Sequence, residues 1–294
     1  MGSDSIDLDS SIESDPIDFA NKEKNEMNML SSVAPWDLVA EGYSEVTMKL
    51  FRGYVDKALA QVDLDETSHV LDIACGPGTL ALIAAQSARQ VKAIDFSEAM
   101  IEQFDRMIHK ESIDNIETFC GDAQQLPYED NAFDAAFSIF GLIFFPDRMK
   151  AYKEILRTLK PGGKTVISSW APTVDSPLMM TLFGAIRAIN PDVPEPQTAV
   201  ESLENPEFFK AEMIRAGFKD VEILPVSDNM EVTSLEQFWE DMVKGSAPLV
   251  MMKNNMPEAV WQEKNRIALS YLRETLGEMP TTLSASAWLG VGTK

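Results

Sequence analysis

The sequence contains little cysteine, little histidine and no long run of apolar residues. Its 294 residues include two cysteines and two histidines. A disulfide framework is therefore excluded, and a reducing cytoplasm is the expected location. No stretch approaches the roughly 20 apolar residues of a membrane-spanning helix. The acidic start of the chain, with neither a basic region nor an apolar core, also argues against a secretory signal peptide.

Histidine is also badly placed for metal binding or catalysis. Neither His69 nor His109 has a carboxylate or a second histidine at ligand spacing. We interpret both as structural residues and expect no metal site.

Positive charge is scarce relative to negative charge. The chain has 25 Lys and Arg against 47 Asp and Glu, a net charge of −22 at pH 7. Because phosphate backbones and anionic membranes are bound by clustered cations, neither nucleic acid nor a membrane surface is an expected partner. The hydrophobic content of 45% and charged content of 24% are those of an ordinary globular protein.

The first part of the chain differs in composition from the rest. Over residues 1–30, acids outnumber lysines eight to two and the isolated isoleucines follow no period. This composition predicts an acidic disordered tail over 1–30. We expect a single domain over 31–294, with an N-terminal helical cover and a lid insertion at about 171–217.

Strand and helix patterns alternate after the predicted cover. Apolar strand segments are predicted at 69–74, 91–95, 116–120, 132–140 and 164–170. Helical spacing of apolar residues separates most of them, as in Met100, Ile101 and Phe104. Repeated strand–helix units require parallel pairing, so the predicted fold is α/β, with an open, doubly wound sheet.

A glycine loop follows the first of these strands. Gly76 and Gly78 lie between the strand and a helix starting at Thr79, and they allow sharp turns and a close approach to a ligand. Asp72 at the strand end would repel a phosphate. It suits a cationic ligand such as S-adenosylmethionine, which carries a sulfonium and an ammonium group.

Four segments together resemble one enzyme family. They are Asp72–Gly78 (DIACGPG), Ile94–Ser97 (IDFS), Cys120–Ala123 (CGDA) with Leu126-Pro127, and Leu159–Gly163 (LKPGG). Their order and spacing resemble class I S-adenosylmethionine-dependent methyltransferases, and most of all the small-molecule group around the ubiquinone and menaquinone C-methyltransferases. The resemblance implies a Rossmann-like, mostly parallel seven-stranded sheet with an antiparallel last strand and a helical lid.

The resemblance also implies an activity and a cofactor. The expected reaction is transfer of a methyl group from S-adenosyl-L-methionine to a small-molecule acceptor, with S-adenosyl-L-homocysteine as product. The accepting atom can be oxygen, nitrogen, sulfur or carbon. Because no histidine is well placed to act as a base, no catalytic residue is assigned.

Roles for individual residues follow from the same resemblance. Asp95, at the end of the second strand, can accept hydrogen bonds from both ribose hydroxyls. Asp122 is expected to accept from the adenine amino group, and Phe96 and Met100 to contact the adenine. The full predicted cofactor-binding set is Asp72, Ala74, Gly76, Gly78, Asp95, Phe96, Met100, Asp122, Ala123, Ser138, Ile139, Tyr43 and Trp36. Phe140 and Trp170 are predicted to line the acceptor pocket.

Two alternative functions fit part of the same pattern. Residues 76–81 satisfy the G-x-G-x-x-A fingerprint of dinucleotide-binding proteins, with Asp95 as the ribose acid, so an NAD-dependent dehydrogenase is one alternative. A non-catalytic S-adenosylmethionine-binding protein is the other. In the quinone enzymes an Arg-Asn pair usually follows the Phe-Gly pair, and here Leu142-Ile143 follows Phe140-Gly141. This difference argues against a quinone acceptor, and the sequence does not indicate the acceptor or the oligomeric state.

Overall fold

The computed structural model describes residues 29–197 and 200–294. The predicted acidic tail over 1–30 therefore lies outside the described residues, apart from its last two positions. Within the described parts, no helix is long and apolar enough to cross a membrane.

Seven strands form one sheet. They are β1 (His69–Ile73), β2 (Gln90–Asp95), β3 (Ile116–Cys120), β4 (Phe133–Ser138), β5 (Leu159–Trp170), β6 (Lys219–Val232) and β7 (Thr281–Thr293). The strand order across the sheet is β3-β2-β1-β4-β5-β7-β6. Strands β1 to β5 pair in parallel, and β7 pairs antiparallel with both β5 and β6. The predicted doubly wound sheet with an antiparallel last strand is confirmed.

Helices cover both faces and one end of the sheet. They are α1 (Ala34–Leu50), α2 (Arg52–Leu59), α3 (Thr79–Ala84), α4 (Glu98–Glu111), α5 (Arg148–Thr158), α6 (Pro177–Ile189), α7 (Pro206–Ala216), α8 (Leu235–Gly245), α9 (Ala247–Asn254) and α10 (Glu258–Leu276). Short 3-10 turns occur at Leu142–Phe144 and Thr173–Asp175.

The residues of β1 show why the sheet is buried on both faces. Leu71 and Ile73 are inaccessible to solvent and belong to an apolar cluster with residues of α5 and α7. Val70 points to the opposite face and joins a second cluster with residues of α2, α3 and α4. A central parallel strand needs apolar side chains on both faces, which explains the nearly continuous apolar run in this segment.

The segment predicted as a lid insertion, 171–217, contributes both to the core and to the cover at one end of the sheet. Helix α7 falls within the predicted insertion at 171–217, but its Phe209 and Met213 are fully buried in the core cluster beside β1. A third apolar cluster instead joins α6 to α8 and α10, the helices between β6 and β7. The cover at this end of the sheet therefore consists of α1, α6 and the segment between β6 and β7.

Candidate active site

A cavity of about 300 Å³ opens where the carboxyl ends of β1, β2 and β4 meet, under helix α1. Open α/β sheets place their ligands at this edge. The cavity is lined by residues of four segments: Ser31, Val33, Trp36 and Tyr43 at α1; Ala74 and Gly76 after β1; Ile94, Asp95, Phe96, Met100, Gly121, Asp122, Ala123 and Gln124 around β2 and β3; and Ile139, Phe140, Gly141, Phe144, Phe145 and Pro146 after β4.

Asp95 is the central polar group of the cavity. Its Oδ2 atom accepts a hydrogen bond of 2.8 Å from the Gly76 backbone N–H, and Oδ1 accepts one of 2.9 Å from the Ser97 N–H. Gly76 has a φ of +53°, a conformation that glycine adopts without strain. A carboxylate has about four acceptor positions, so two remain for a ligand with hydroxyl groups.

Gly78 has a different role from the one predicted. It has a φ of +88°, is buried and does not line the cavity. A Cβ atom at this position would collide with the ring of Phe104 in α4. The second glycine of the loop therefore allows α3 and α4 to pack closely, whereas Gly76 lines the cavity.

Asp72 lies next to the main cavity in a small extension. This extension of about 40 Å³ is also lined by Tyr43, Ala74, Gly76 and Ile139, which line the main cavity as well. The Oδ2 atom of Asp72 accepts a hydrogen bond of 3.1 Å from the Ala81 N–H of α3. Burial raises the pKa of Asp72 to about 8 and that of Asp95 to about 6.

The predicted adenine contacts lie together on one wall. Phe96, Met100, Asp122 and Ala123 all line the cavity. The Oδ1 atom of Asp122 accepts a hydrogen bond of 2.8 Å from the Gln124 N–H, so this carboxylate also stabilises the turn after β3. Leu126, which follows this loop, is buried in the core.

Helix α1 covers the cavity with two aromatic side chains. Tyr43 and Trp36 both line it, and their rings contact each other edge to face at 5.9 Å. Burial, together with the nearby Asp95, raises the pKa of Tyr43 well above its usual value, so its hydroxyl stays neutral. The Oγ atom of Ser97, which caps α4, donates a hydrogen bond of 2.6 Å to Asp37 of α1.

The ends of β4 and β5 meet beside the cavity. Phe140 lines the cavity with a φ of +56°, and its N–H donates to Ser168 Oγ at 2.8 Å. The prediction for Trp170 needs correction, because it stacks behind Phe140 at 4.0 Å and does not line the cavity. Ser138 is fully buried, and its Oγ has no hydrogen-bond partner among the described residues.

Several cavity residues were not predicted from the sequence. Ser31 and Val33 precede α1. Phe144 ends the 3-10 turn after β4, and Phe145 and Pro146 follow it. Phe144 and Phe145 belong to an apolar run in the sequence, but no spacing rule predicts that a turn of this kind lies against the cavity. Asp37 had no sequence signal that connected it to Ser97, 60 positions away.

The charge of the cavity restricts the ligands it can bind. Its charged lining residues are Asp95 and Asp122, and no lysine, arginine or histidine within 29–197 and 200–294 lines it. A pyrophosphate bound in this cavity would form no ion pair with these lining residues, so the dinucleotide alternative is disfavoured. In the described parts of the chain, no cluster of three metal-ligating side chains occurs.

Comparison with known proteins gives consistent results. Residues 70–163 match a family model described as "Methyltransferase domain". The demethylmenaquinone methyltransferase of Staphylococcus epidermidis is 33% identical over 189 residues, covering 59% of this chain and 76% of that protein. The corresponding protein of Paenarthrobacter aurescens is 35% identical over 191 residues, covering 64% and 70%.

A solved structure shows the limit of the fold as an indicator of function. The [4+2]-cyclase SpnF superposes with a TM-score of 0.57 at 21% identity, covering 88% of this chain and 94% of that one. It shares the fold, yet it is a cyclase by name. The functional assignment therefore rests on the sequence relatives and not on the fold alone.

Proposed function

Because the chain belongs to the class I S-adenosylmethionine-dependent methyltransferases, in the group similar to quinone C-methyltransferases, we propose that the cavity under α1 is its cofactor site. Asp95 would accept hydrogen bonds from the ribose hydroxyls. Asp122 and Ala123 would bind the edge of the adenine ring. The methionine end would extend past Gly76 toward Asp72. The sulfonium would then lie between Tyr43, Ile139 and Phe140.

One observation carries this assignment. The site contains buried carboxylates and no cation among the described lining residues, and Asp95 keeps acceptor positions after bonding Gly76 and Ser97. A cationic ligand with an adjacent pair of hydroxyls matches both features. The aromatic faces of Tyr43 and Phe140 also favour a sulfonium cation.

The chemistry needs little from the protein beyond geometry. The cofactor supplies an already activated methyl group, which the acceptor's nucleophile takes by in-line displacement. The lining residues hold the reactants in a dry, ordered site, and such positioning can supply about 7–11 kcal/mol of the barrier reduction. Neither histidine lines the cavity, because His69 lies at the start of β1 and His109 is exposed on α4. The proposed mechanism therefore contains no histidine base.

We propose a small molecule as the acceptor. The relatives are named for demethylmenaquinone. We do not extend that acceptor to this chain, because Leu142-Ile143 replaces the Arg-Asn pair of the quinone enzymes. Leu142 is fully buried and lies at the start of the 3-10 turn, so it offers no polar group to a quinone.

The ribose assignment is tested by Asp95→Ala, with S-adenosylhomocysteine binding measured by calorimetry. Loss of two charge-assisted hydrogen bonds, each worth about 1.5–3 kcal/mol, predicts at least a tenfold rise in Kd. Asp114→Ala is the matched control, because Asp114 is exposed and does not line the cavity.

Circular dichroism of both variants shows whether the fold is kept. Asp95→Ala removes the acceptor for two backbone N–H groups, so some loss of thermal stability is expected as well. Unchanged affinity in a folded Asp95→Ala protein would show that the ribose lies elsewhere.

A further inference from the structure

A second cavity, of about 660 Å³, lies beyond the cofactor cavity under the other end of α1. It is enclosed by α1, the start of α2, the start of α6, the outer part of β6 and α8. Its volume falls within the usual range for small-molecule sites. None of the cofactor-binding residues discussed above contributes to it.

The second cavity is built only from parts of the chain outside the matched methyltransferase domain. Its lining residues lie before position 55 or after position 177, whereas the family model matches residues 70–163. The cofactor cavity, by contrast, takes most of its lining from that range. Elements added around a shared cofactor-binding core are the ones that can recognise a substrate specific to one enzyme.

A single aromatic layer separates the two cavities. Tyr54 lines the second cavity, and its ring meets the ring of Phe140, which lines the first, edge to face at 5.2 Å. The Tyr54 hydroxyl donates a hydrogen bond of 2.8 Å to the Ala285 carbonyl, which fixes the ring in this position. The rings of Tyr54 and Phe140 therefore lie between a molecule bound in the second cavity and the proposed position of the sulfonium.

The lining of the second cavity is amphipathic. Val46, Leu50, Leu178 and Met230 supply apolar surface beside the Tyr54 ring. Charged groups of both signs also line it, three carboxylates and two ammonium groups, so the charges nearly cancel. Lys244 is also paired at 3.0 Å with Glu240, which lies outside the lining. Such a surface favours an apolar body with a neutral polar group over a phosphate or another strongly charged ligand.

We propose that the second cavity binds a neutral amphipathic small molecule. The buried rings of Tyr54 and Phe140 separate this site from the cofactor cavity. The site does not depend on the proposed function, so the two claims are tested separately.

The test uses the full chain saturated with S-adenosylhomocysteine and the neutral dye Nile red as probe. The expected result is a blue-shifted emission that titrates to one site. In Met230→Trp the larger side chain occupies part of the cavity and narrows it, so the dye affinity falls about tenfold or more. Met252→Trp is the matched control, because Met252 is also a half-buried methionine of the third apolar cluster and does not line the cavity.

Competition for the dye tests the ligand class. We expect 1-naphthol to displace Nile red at about a tenth or less of the concentration required of 1-naphthyl phosphate. Equal or better displacement by the phosphate would overturn the assigned class. Unchanged dye binding in Met230→Trp, or dye release by S-adenosylhomocysteine in the wild type, would overturn the site itself.

The cofactor claim is read out separately in the same samples. Thermal stabilisation by S-adenosylhomocysteine should be the same in wild type, Met230→Trp and Met252→Trp. Its absence from all three proteins would count against the proposed function and leave the dye result unaffected.

Discussion

At the scale of single residues, the site depends on two buried carboxylates that no cation balances among residues 29–197 and 200–294. Asp72 and Asp95 are 2% and 6% exposed, and burial raises the pKa of both. Their stabilising contacts are backbone N–H groups, from Ala81 to Asp72 and from Gly76 and Ser97 to Asp95. An ammonium or sulfonium ligand would offset the cost of keeping them ionised.

This arrangement predicts a pH-dependent stability for the ligand-free protein. The folded-state pKa of Asp72, about 8, lies above its unfolded value of 3.8. Between these values the folded state binds more protons than the unfolded state, so this group makes stability fall as the pH rises toward 8. We expect Asp72→Asn, which keeps an acceptor oxygen for Ala81, to raise the free energy of unfolding at pH 8 and to flatten its pH dependence.

Urea unfolding at pH 5, 6, 7 and 8 measures this effect. Asp114 lies on an exposed loop. Asp114→Asn also removes one negative charge, so it serves as the control for the general effect of making the net charge less negative. If Asp72→Asn and Asp114→Asn gave the same slope of stability against pH, Asp72 would titrate normally and the account of its burial would be wrong.

At the scale of elements, the cover over the cavity is attached by a side-chain hydrogen bond between helices. Ser97 is fully buried, accepts from the Met100 N–H to cap α4, and donates to Asp37 in the first turn of α1. Its own backbone N–H bonds Asp95. Through this one residue, α1, α4 and the Asp95 carboxylate share a hydrogen-bond network.

We expect Asp37→Ala to weaken cofactor binding by loosening α1. The buried Ser97 hydroxyl would lose its acceptor at a cost of about 1–3 kcal/mol, and Trp36 and Tyr43 would be held less firmly over the site. Calorimetry should show a several-fold rise in Kd for S-adenosylhomocysteine in this variant. Asp37→Asn keeps an acceptor oxygen and should bind close to normally.

The control for this variant lies on the same helix. Glu41 is exposed on α1, so Glu41→Ala makes the same change of charge without touching Ser97. A loss of affinity in Glu41→Ala equal to that in Asp37→Ala would attribute the effect to net charge and contradict the proposed attachment.

Most elements of the core were predictable because each is marked by a pattern of apolar residues within its own stretch of sequence. The strands β1, β2 and β3 end within one residue of the predicted bounds, since buried parallel strands are short apolar runs. The predicted strand over 132–140 ends two residues early, because Phe140 has a positive φ and leaves the sheet. Helix α9 was not predicted at all, since it is only eight residues long and its two buried residues, Ala247 and Leu249, are too few for a periodic apolar pattern.

At the scale of the whole molecule, the two cavities differ in how far the sequence reveals them. The cofactor cavity uses segments that each follow a strand, so their residues could be expected at one edge of the sheet. The second cavity brings together Val46, Leu178 and Met230, which no local pattern connects. The position of Trp170 could not be predicted for the same reason. It lies behind Phe140 because of tertiary packing, which its place at the end of β5 does not reveal.

Net charge and cavity charge have the same sign. The chain carries −22 at pH 7, and the charged residues of the cofactor cavity are carboxylates. Long-range and local electrostatics therefore both favour a cationic ligand over an anionic one. The sign of the ligand's charge is therefore the clearest physical difference between S-adenosylmethionine and a nicotinamide dinucleotide as ligands of the glycine loop.

The most direct test is thermal unfolding of the full chain with S-adenosylhomocysteine and, in parallel, with NADH. A ligand at a hundred times its Kd stabilises by about 2.7 kcal/mol, and for a chain of this size that corresponds to a rise in Tm of roughly 5–10 °C. The account predicts such a rise with S-adenosylhomocysteine and none with NADH. A rise with NADH and none with S-adenosylhomocysteine would contradict it and make the loop at Gly76 a dinucleotide site.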